Sequence, residues 1–234
     1  MNRTLNTISF CNHDGIGLLE MNQPPANRMT IEFFNEFNDL VDQMRNMPEL
    51  KALVISGKGR HFSSGANLEE LLDQAVANEI RNEPPKGNNL KSFSEKNSCS
   101  FLFLEEAQIP VISAIRGVCI GSAFELTLFS HFRFCGDDAV LGLPETTFNL
   151  MPGLGGIRKI SSLCGQSKAI ELILRGSTFG AVEAMQNHLI DLIIPKRKVV
   201  EFSIAFAKSV MDNYQRQKAP LYLRQIHTNG PYSN

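Results

Sequence analysis

Pro110 to Ile115 (PVISAI) is apolar at nearly every position, so it reads as a strand buried on both faces rather than one half-exposed to water. Lys51 to Ser56 (KALVIS) reads likewise as a buried strand, closed by the Gly57-Lys58-Gly59 turn. Strands of this kind need covering helices, and the chain supplies them. Thr30 is a plausible N-cap for a helix with Phe33, Phe37, Leu40, Val41 and Met44 at helical spacing. A second helix is expected near Ala66-Asn67, running through Leu68, Leu71 and Leu72. A third follows Gly117 to Gly121, through Phe124, Leu126, Leu128 and Phe129. Short strands are expected at Ile8 to Phe10, Ile16 to Met21, Phe132 to Cys135 and Val140 to Leu143. From Ser161 onward the pattern is nearly all helical: Lys168 to Leu174, Ala181 to Leu189, Val199 to Met211. Strands alternating with helices, then a helical C-terminal stretch, give the α/β class. Arg81 to Ser98 stands apart, with Pro84, Pro85, Gly87 and four asparagines. It reads as a mobile surface loop that orders around a ligand, with order returning at Phe101 to Glu106.

Composition narrows the function. With 234 residues, 43% of them hydrophobic, the chain has ample apolar material for one large domain without disulfides or metals. Lys and Arg number 23 against 24 acidic residues, so there is no basic surplus for nucleic acid or an anionic membrane. The five cysteines are dispersed, odd in number and without a CxxC pair, which reads as free thiols in a reducing compartment. Met1 to Asn6 lacks the apolar stretch of a signal peptide, and charges from Glu105 to Arg133 interrupt the greasiest region. The expectation is a soluble cytoplasmic protein.

Common chemical signatures are absent from the sequence. Phe62 stands where the third glycine of a dinucleotide fingerprint beginning at Gly57 would fall, and there is no phosphate-binding G-x-x-x-x-G-K-[ST] loop. His61 occupies the first glycine position of a nucleophile elbow around Ser63. His13, His61, His131, His188 and His227 lack zinc-ligand spacing.

Three segments remain. Gly59 to Leu68 (GRHFSSGANL) and Gly117 to Leu126 (GVCIGSAFEL) are each a small-residue turn between strand and helix. Unpaired N–H groups at two such helix starts, facing one another, would form an oxyanion hole from main chain alone. Equally, the glycines would simply let helices lie close to strands. The second segment carries Glu125. The third, Leu143-Pro144-Glu145, lies twenty residues further on and precedes Met151-Pro152-Gly153-Leu154-Gly155-Gly156. Taken singly, a glutamate near a helix start ordinarily compensates the helix dipole, and a Pro-Glu pair ordinarily belongs to a turn.

Together, these stretches resemble the enoyl-CoA hydratase/isomerase (crotonase) family. The matching residues are Ala52 to Gly57 with Phe62 to Leu68, Pro110 to Gly117, Gly121 to Leu126, and Pro144-Glu145 followed by Met151 to Gly156. Weaker matches run through Gly165, Ala169, Glu171, Leu172, Leu174, Gly176, Ala184 and Pro195, so the likeness covers about Ile8 to Leu223 in family order.

The resemblance implies stacked ββα units over 1–195 and a C-terminal helical segment over 196–234, assembled as a homotrimer or a pair of trimers. It implies that the N–H groups of Ala66 and Ser122 hold a thioester carbonyl, supported by Gly121 and Gly153. It also implies that Glu125 and Glu145 activate water and carry the proton at the substrate's α-carbon. The substrate would be an acyl-CoA or an acyl-carrier thioester, with no separate cofactor. Two departures from the family stand out. Ser122-Ala123-Phe124 replaces a glycine-rich run, with Ser122 and Phe124 expected to narrow the acyl pocket, and Asn67 stands where many members have aspartate. After Leu223 the chain ends about one helix short of typical members, which bears on intersubunit packing and pocket closure. Hydration of a 2-enoyl-CoA is the leading expectation. Double-bond isomerisation, thioester or C–C hydrolysis, and non-catalytic acyl-CoA binding are the alternatives.

Overall fold

The computed structural model describes residues 2–70 and 89–217, with side chains described except at 89–93 and 212–217. The two apolar runs lie at the centre of a seven-stranded sheet. Strands β1 (Asn2–Thr4), β2 (Ile8–His13) and β3 (Ile16–Met21) form an antiparallel meander. Four parallel strands continue from β3: β4 (Ala52–Gly57), β5 (Val111–Ile115), β7 (Phe132–Gly136) and β10 (Leu192–Ile194).

Side-chain alternation along β4 and β5 feeds two cores. Leu53, Ile55, Val111 and Ile115 face one, while Val54, Ile112 and Ala114 face the other. The first is closed by α1 (Ile31–Met44) and α2 (Asn89–Glu106), where Phe37 meets Phe101 edge-on at 5.9 Å. The second is closed by α7 (Val199–Gln217), whose Phe202 and Phe206 stand edge-on to Phe134. Thr30 caps α1 by accepting from the Phe33 N–H, and all five apolar positions expected on that helix are buried.

The chain leaves the large sheet after β5 through Gly117. Its φ of +53° favours glycine, and a β-carbon there would lie 2.5 Å from His61 Nδ1. It then enters a second, three-stranded sheet of β6 (Val118–Ile120), β8 (Val140–Gly142) and β9 (Phe179–Gly180). Helices α3 (Ser122–Leu128), α4 (Gly156–Cys164), α5 (Gln166–Arg175) and α6 (Ala181–Gln186) surround it, with a 3₁₀ turn at Pro144–Phe148.

The structure corrects two expectations. Residues 89–98 of the anticipated loop are helical, the first half of α2, while 81–88 lie outside the described residues. Asn97, one of the asparagines that suggested a loop, is buried: Asn38 Nδ2 donates to its Oδ1 at 2.9 Å, and Ser100 Oγ, just beyond the anticipated loop, donates to Asn38 Oδ1. The C-terminal part is not continuously helical, because β9 and β10 interrupt it and β10 extends the large sheet beside β7. The helix expected near Ala66-Asn67 is present from 68, while Leu71 and Leu72 lie outside the described residues. All five cysteines are free thiols. Among the described residues no helix is long and apolar enough to cross a membrane.

Candidate active site

The two small-residue turns meet. Ser63 bridges Cys119 in parallel, with the Ser63 N–H donating to Val118 O and the Ile120 N–H to Ser63 O. This carries Gly65-Ala66 alongside Gly121-Ser122. The approach is close enough that a β-carbon on Gly65 would lie 2.6 Å from Ile120 O and 3.4 Å from Ser122 N. The flanking amides are occupied. Gly65 N–H donates to Ser63 Oγ, Asn67 N–H to Met29 O, and Gly121 N–H to Gly142 O. Among the described residues the N–H groups of Ala66 and Ser122 have no partner, so two adjacent donors are left over.

Glu125 lies on α3 and is 1% exposed. Its Oε1 accepts from the N–H groups of Leu154 and Gly156, both at 2.9 Å. Burial and then the neighbouring charge of Glu145 push its pKa up to about 7, against the pull of those N–H groups. Glu145 stands on the 3₁₀ turn. Burial raises its pKa too, and its Oε2 is buried without a hydrogen-bond partner among the described residues. Gly121 makes room for it, since a β-carbon at this position would meet Glu145 Oε1 at 3.3 Å; its φ of +59° also favours glycine.

Glu125, Glu145 and Gly121 thus converge, next to the paired turns that carry Ala66 and Ser122. Gly153 belongs to the loop that cradles Glu125. A buried and a half-buried carboxyl with raised proton affinity, beside two free backbone donors, are equipped to move a proton next to a carbonyl held by hydrogen bonds.

The sequence matches the family model described as enoyl-CoA hydratase/isomerase over residues 12–226. The chain belongs to this, the crotonase, family. It is similar to a Bacillus subtilis (strain 168) protein named "Probable enoyl-CoA hydratase", 29% identical over 98% of this chain and 85% of that one. It is also similar to the fatty acid oxidation complex subunit alpha of Shewanella frigidimarina (strain NCIMB 400), at 32% identity over 83% of this chain. That match spans 27% of the larger protein. Solved crotonase structures share the fold. An enoyl-CoA hydratase structure from Geobacillus kaustophilus HTA426 superposes with a TM-score of 0.81 at 20% identity, covering 100% of this chain and 92% of that one. A Thermobifida fusca YX protein in complex with CoA, named as a candidate enoyl-CoA hydratase, gives 0.81 at 24% identity over 96% and 86% of the two chains.

Within this crotonase site the departure at Ser122-Ala123-Phe124 resolves simply for Phe124. Its ring is fully buried and stands edge-on to Phe179 at 5.9 Å, so it packs in the core rather than lining a narrowed acyl pocket. Sequence reasoning missed the amides of Leu154 and Gly156 as the cradle of Glu125. The signal was present in the glycines of Met151 to Gly156, without which no backbone comes so close to a side chain. A β-carbon on Gly156 would meet Glu125 Cγ at 2.5 Å.

Proposed function

We propose that the protein hydrates a 2-enoyl-CoA. The observation carrying this reading is a buried Glu125 beside a half-buried Glu145, both with raised proton affinity, next to the two unpartnered N–H groups of Ala66 and Ser122. The two N–H groups hold the thioester carbonyl and stabilise the negative charge that grows on its oxygen, a term worth about 3 kcal/mol per donor. One carboxyl of the pair enters ionised and the other protonated, as expected of two acids sharing a site. The ionised one takes a proton from water as the water oxygen bonds to the β-carbon, and the double-bond pair moves onto the carbonyl oxygen as an enolate. The protonated one then delivers its proton to the α-carbon, so the pair regains its single proton. The addition is redox-neutral, and CoA enters as part of the substrate, so this reading calls on no further cofactor.

The CoA phosphates have a suitable counterpart. A cavity of about 200 Å³ at the C-terminal edge of the parallel strands is lined by Gly59, Arg60, Arg116, Asp138, Lys196 and Arg197. It adjoins Gly117 at one end of β6, and Gly121 lies at the other, roughly 13 Å away at about 3.3 Å per residue. Assembly as a homotrimer, or as two of them, is part of the same reading. Phe148, Met151, Ile170 and Leu174, exposed on the 3₁₀ turn, the loop after it and α5, are apolar surface for copies of the chain to cover.

The test is turnover of crotonyl-CoA, followed by loss of the conjugated thioester absorbance, beside a 3-enoyl-CoA. Hydration of the first supports the proposal. Conversion of the 3-enoyl substrate alone makes the protein an isomerase, and binding without turnover of either makes it an acyl-CoA-binding protein.

A further inference from the structure

Glu125 is aligned by the loop between the 3₁₀ turn and α4, whose Leu154 is buried in the core. Gly153 of this loop is exposed, and its carbonyl belongs to the same peptide group as the Leu154 N–H that donates to Glu125 Oε1. Among the described residues the partner of its carbonyl is the Ser94 hydroxyl of α2. That hydroxyl comes from a helix itself fixed in place. One turn on, Asn97 is 1% exposed and bonded to Asn38 of α1, and Ser100 is bonded to the same Asn38. Phe101, on the same side of α2, meets Phe129 at 6.0 Å, and Phe129 lies against Gly155, where a β-carbon would be 2.9 Å from its Cζ. Helix α2 therefore reaches the Glu125 cradle directly at Gly153 and, through Phe129, at Gly155.

We infer that Ser94 is a positioning residue for Glu125, acting through the Gly153–Leu154 peptide: its hydroxyl fixes the carbonyl and so the direction of the Leu154 N–H that holds the carboxylate. A carbonyl that accepts a hydrogen bond also polarises the amides of its segment, which strengthens what they donate. The inference rests on Glu125 being catalytic only for its kinetic consequence. The groups facing Glu125 are otherwise few. Glu145 stands on the 3₁₀ turn, Lys159 of α4 is paired with Glu105, and Arg158 of α4 and Glu95 and Lys96 of α2 are exposed.

Ser94→Ala and Ser94→Thr decide it. The carboxyl titration of Glu125, followed by carbon NMR of glutamate-labelled protein and assigned with Glu125→Gln, is expected to move upward in Ser94→Ala. Weaker N–H bonds stabilise the ionised form less. On crotonyl-CoA the same variant is expected to lose about tenfold in kcat, with KM within about twofold and the alkaline shift visible in its pH profile. Ser94→Thr keeps the hydroxyl and is expected to restore both. A Glu125 titration in Ser94→Ala identical to the parent's would overturn the inference, and so would a threonine variant as impaired as the alanine one. If the parent protein does not hydrate crotonyl-CoA, the functional proposal falls, while the titration still decides the role of Ser94.

Discussion

The amide of Gly156 donates to Glu125 Oε1 at 2.9 Å, and a β-carbon on the same glycine would lie 2.7 Å from that oxygen. Position 156 can therefore serve the carboxylate only as glycine. A methyl group would push the buried side chain away from both N–H donors, since Leu154 donates to the same oxygen. Gly156→Ala is expected to destabilise the fold by about 1–3 kcal/mol, the usual range for overpacking a core. It should also cost at least about tenfold in kcat; a melting curve and crotonyl-CoA kinetics check the two effects.

Glu125→Gln and Glu145→Gln should each fold and each lose at least about 100-fold in hydration rate, the lower end of what a positioned acid or base supplies. If both act on one water and one α-proton, the double variant should be little worse than either single one. Rate measurements on all three proteins test this, and near-parental turnover in a single variant removes that glutamate from the mechanism.

Glu125 also ties stability to pH. Its carboxyl titrates near 7 in the folded chain, above its ordinary value of 4.5, because burial and Glu145 oppose its charge. The folded state then binds its proton more tightly than the unfolded one, so stability falls as pH rises between about 4.5 and 7. The full penalty, about 3 kcal/mol, is present above that window. Glutamine bears no charge and its carbonyl oxygen can still accept from Leu154 and Gly156. Glu125→Gln is thus expected to gain stability over the parent at pH 8 but little at pH 4.5, as read by chemical denaturation at both.

Glu125 and Glu145 stand out only through the ordered family resemblance, each alone reading as a helix-start or turn residue, whereas the central strands are legible in sequence because their signal is local: unbroken apolar runs. Helix α2 is not, because its polar residues are satisfied by Asn38, which lies 59 residues from Asn97 and 62 from Ser100. Read alone, Asn97 and Ser100 look like loop chemistry; only the partner helix makes them interior. Strand β10 hides for a related reason. Its three residues gain their strand character from the exposed edge of β7, and a short apolar stretch between helices carries no period of its own. The burial of Glu125 is equally nonlocal, since the amides that make it tolerable come from residues 29 and 31 positions away.

Ser122 should contribute its main chain and not its hydroxyl. The donor is the N–H at the start of α3, which alanine and glycine both retain. Ser122→Ala and Ser122→Gly are expected to hydrate within about tenfold of the parent, a barrier change near 1.4 kcal/mol. Ser122→Pro removes the donor and should abolish turnover, with circular dichroism to establish that α3 still forms. Loss of activity in Ser122→Ala with ligand binding intact would instead assign the hydroxyl a chemical part, and point to hydrolysis.

The basic cavity gives the last prediction, which separates binding of the CoA phosphates from chemistry at the thioester. Arg60, Arg116, Lys196 and Arg197 surround a single acid, Asp138, whose Oδ2 is 3.9 Å from Lys196 Nζ, leaving a net positive lining. Guanidinium groups bind phosphate through paired, charge-assisted hydrogen bonds, each worth roughly 1.5–3 kcal/mol. Arg60→Ala and Arg197→Ala are therefore expected to raise KM for crotonyl-CoA about tenfold or more while leaving kcat nearly unchanged. The same variants should turn over a crotonyl thioester of N-acetylcysteamine, which has no phosphates, at the parental kcat/KM. Added salt should narrow the gap between parent and variant on the CoA substrate, because both arginines are exposed and their attraction is screened. Equal losses on both thioesters would place the arginines in the structure of the loop rather than on the phosphates, since a disturbed Gly59 to Ala66 turn would displace the Ala66 N–H whatever the thioester carried.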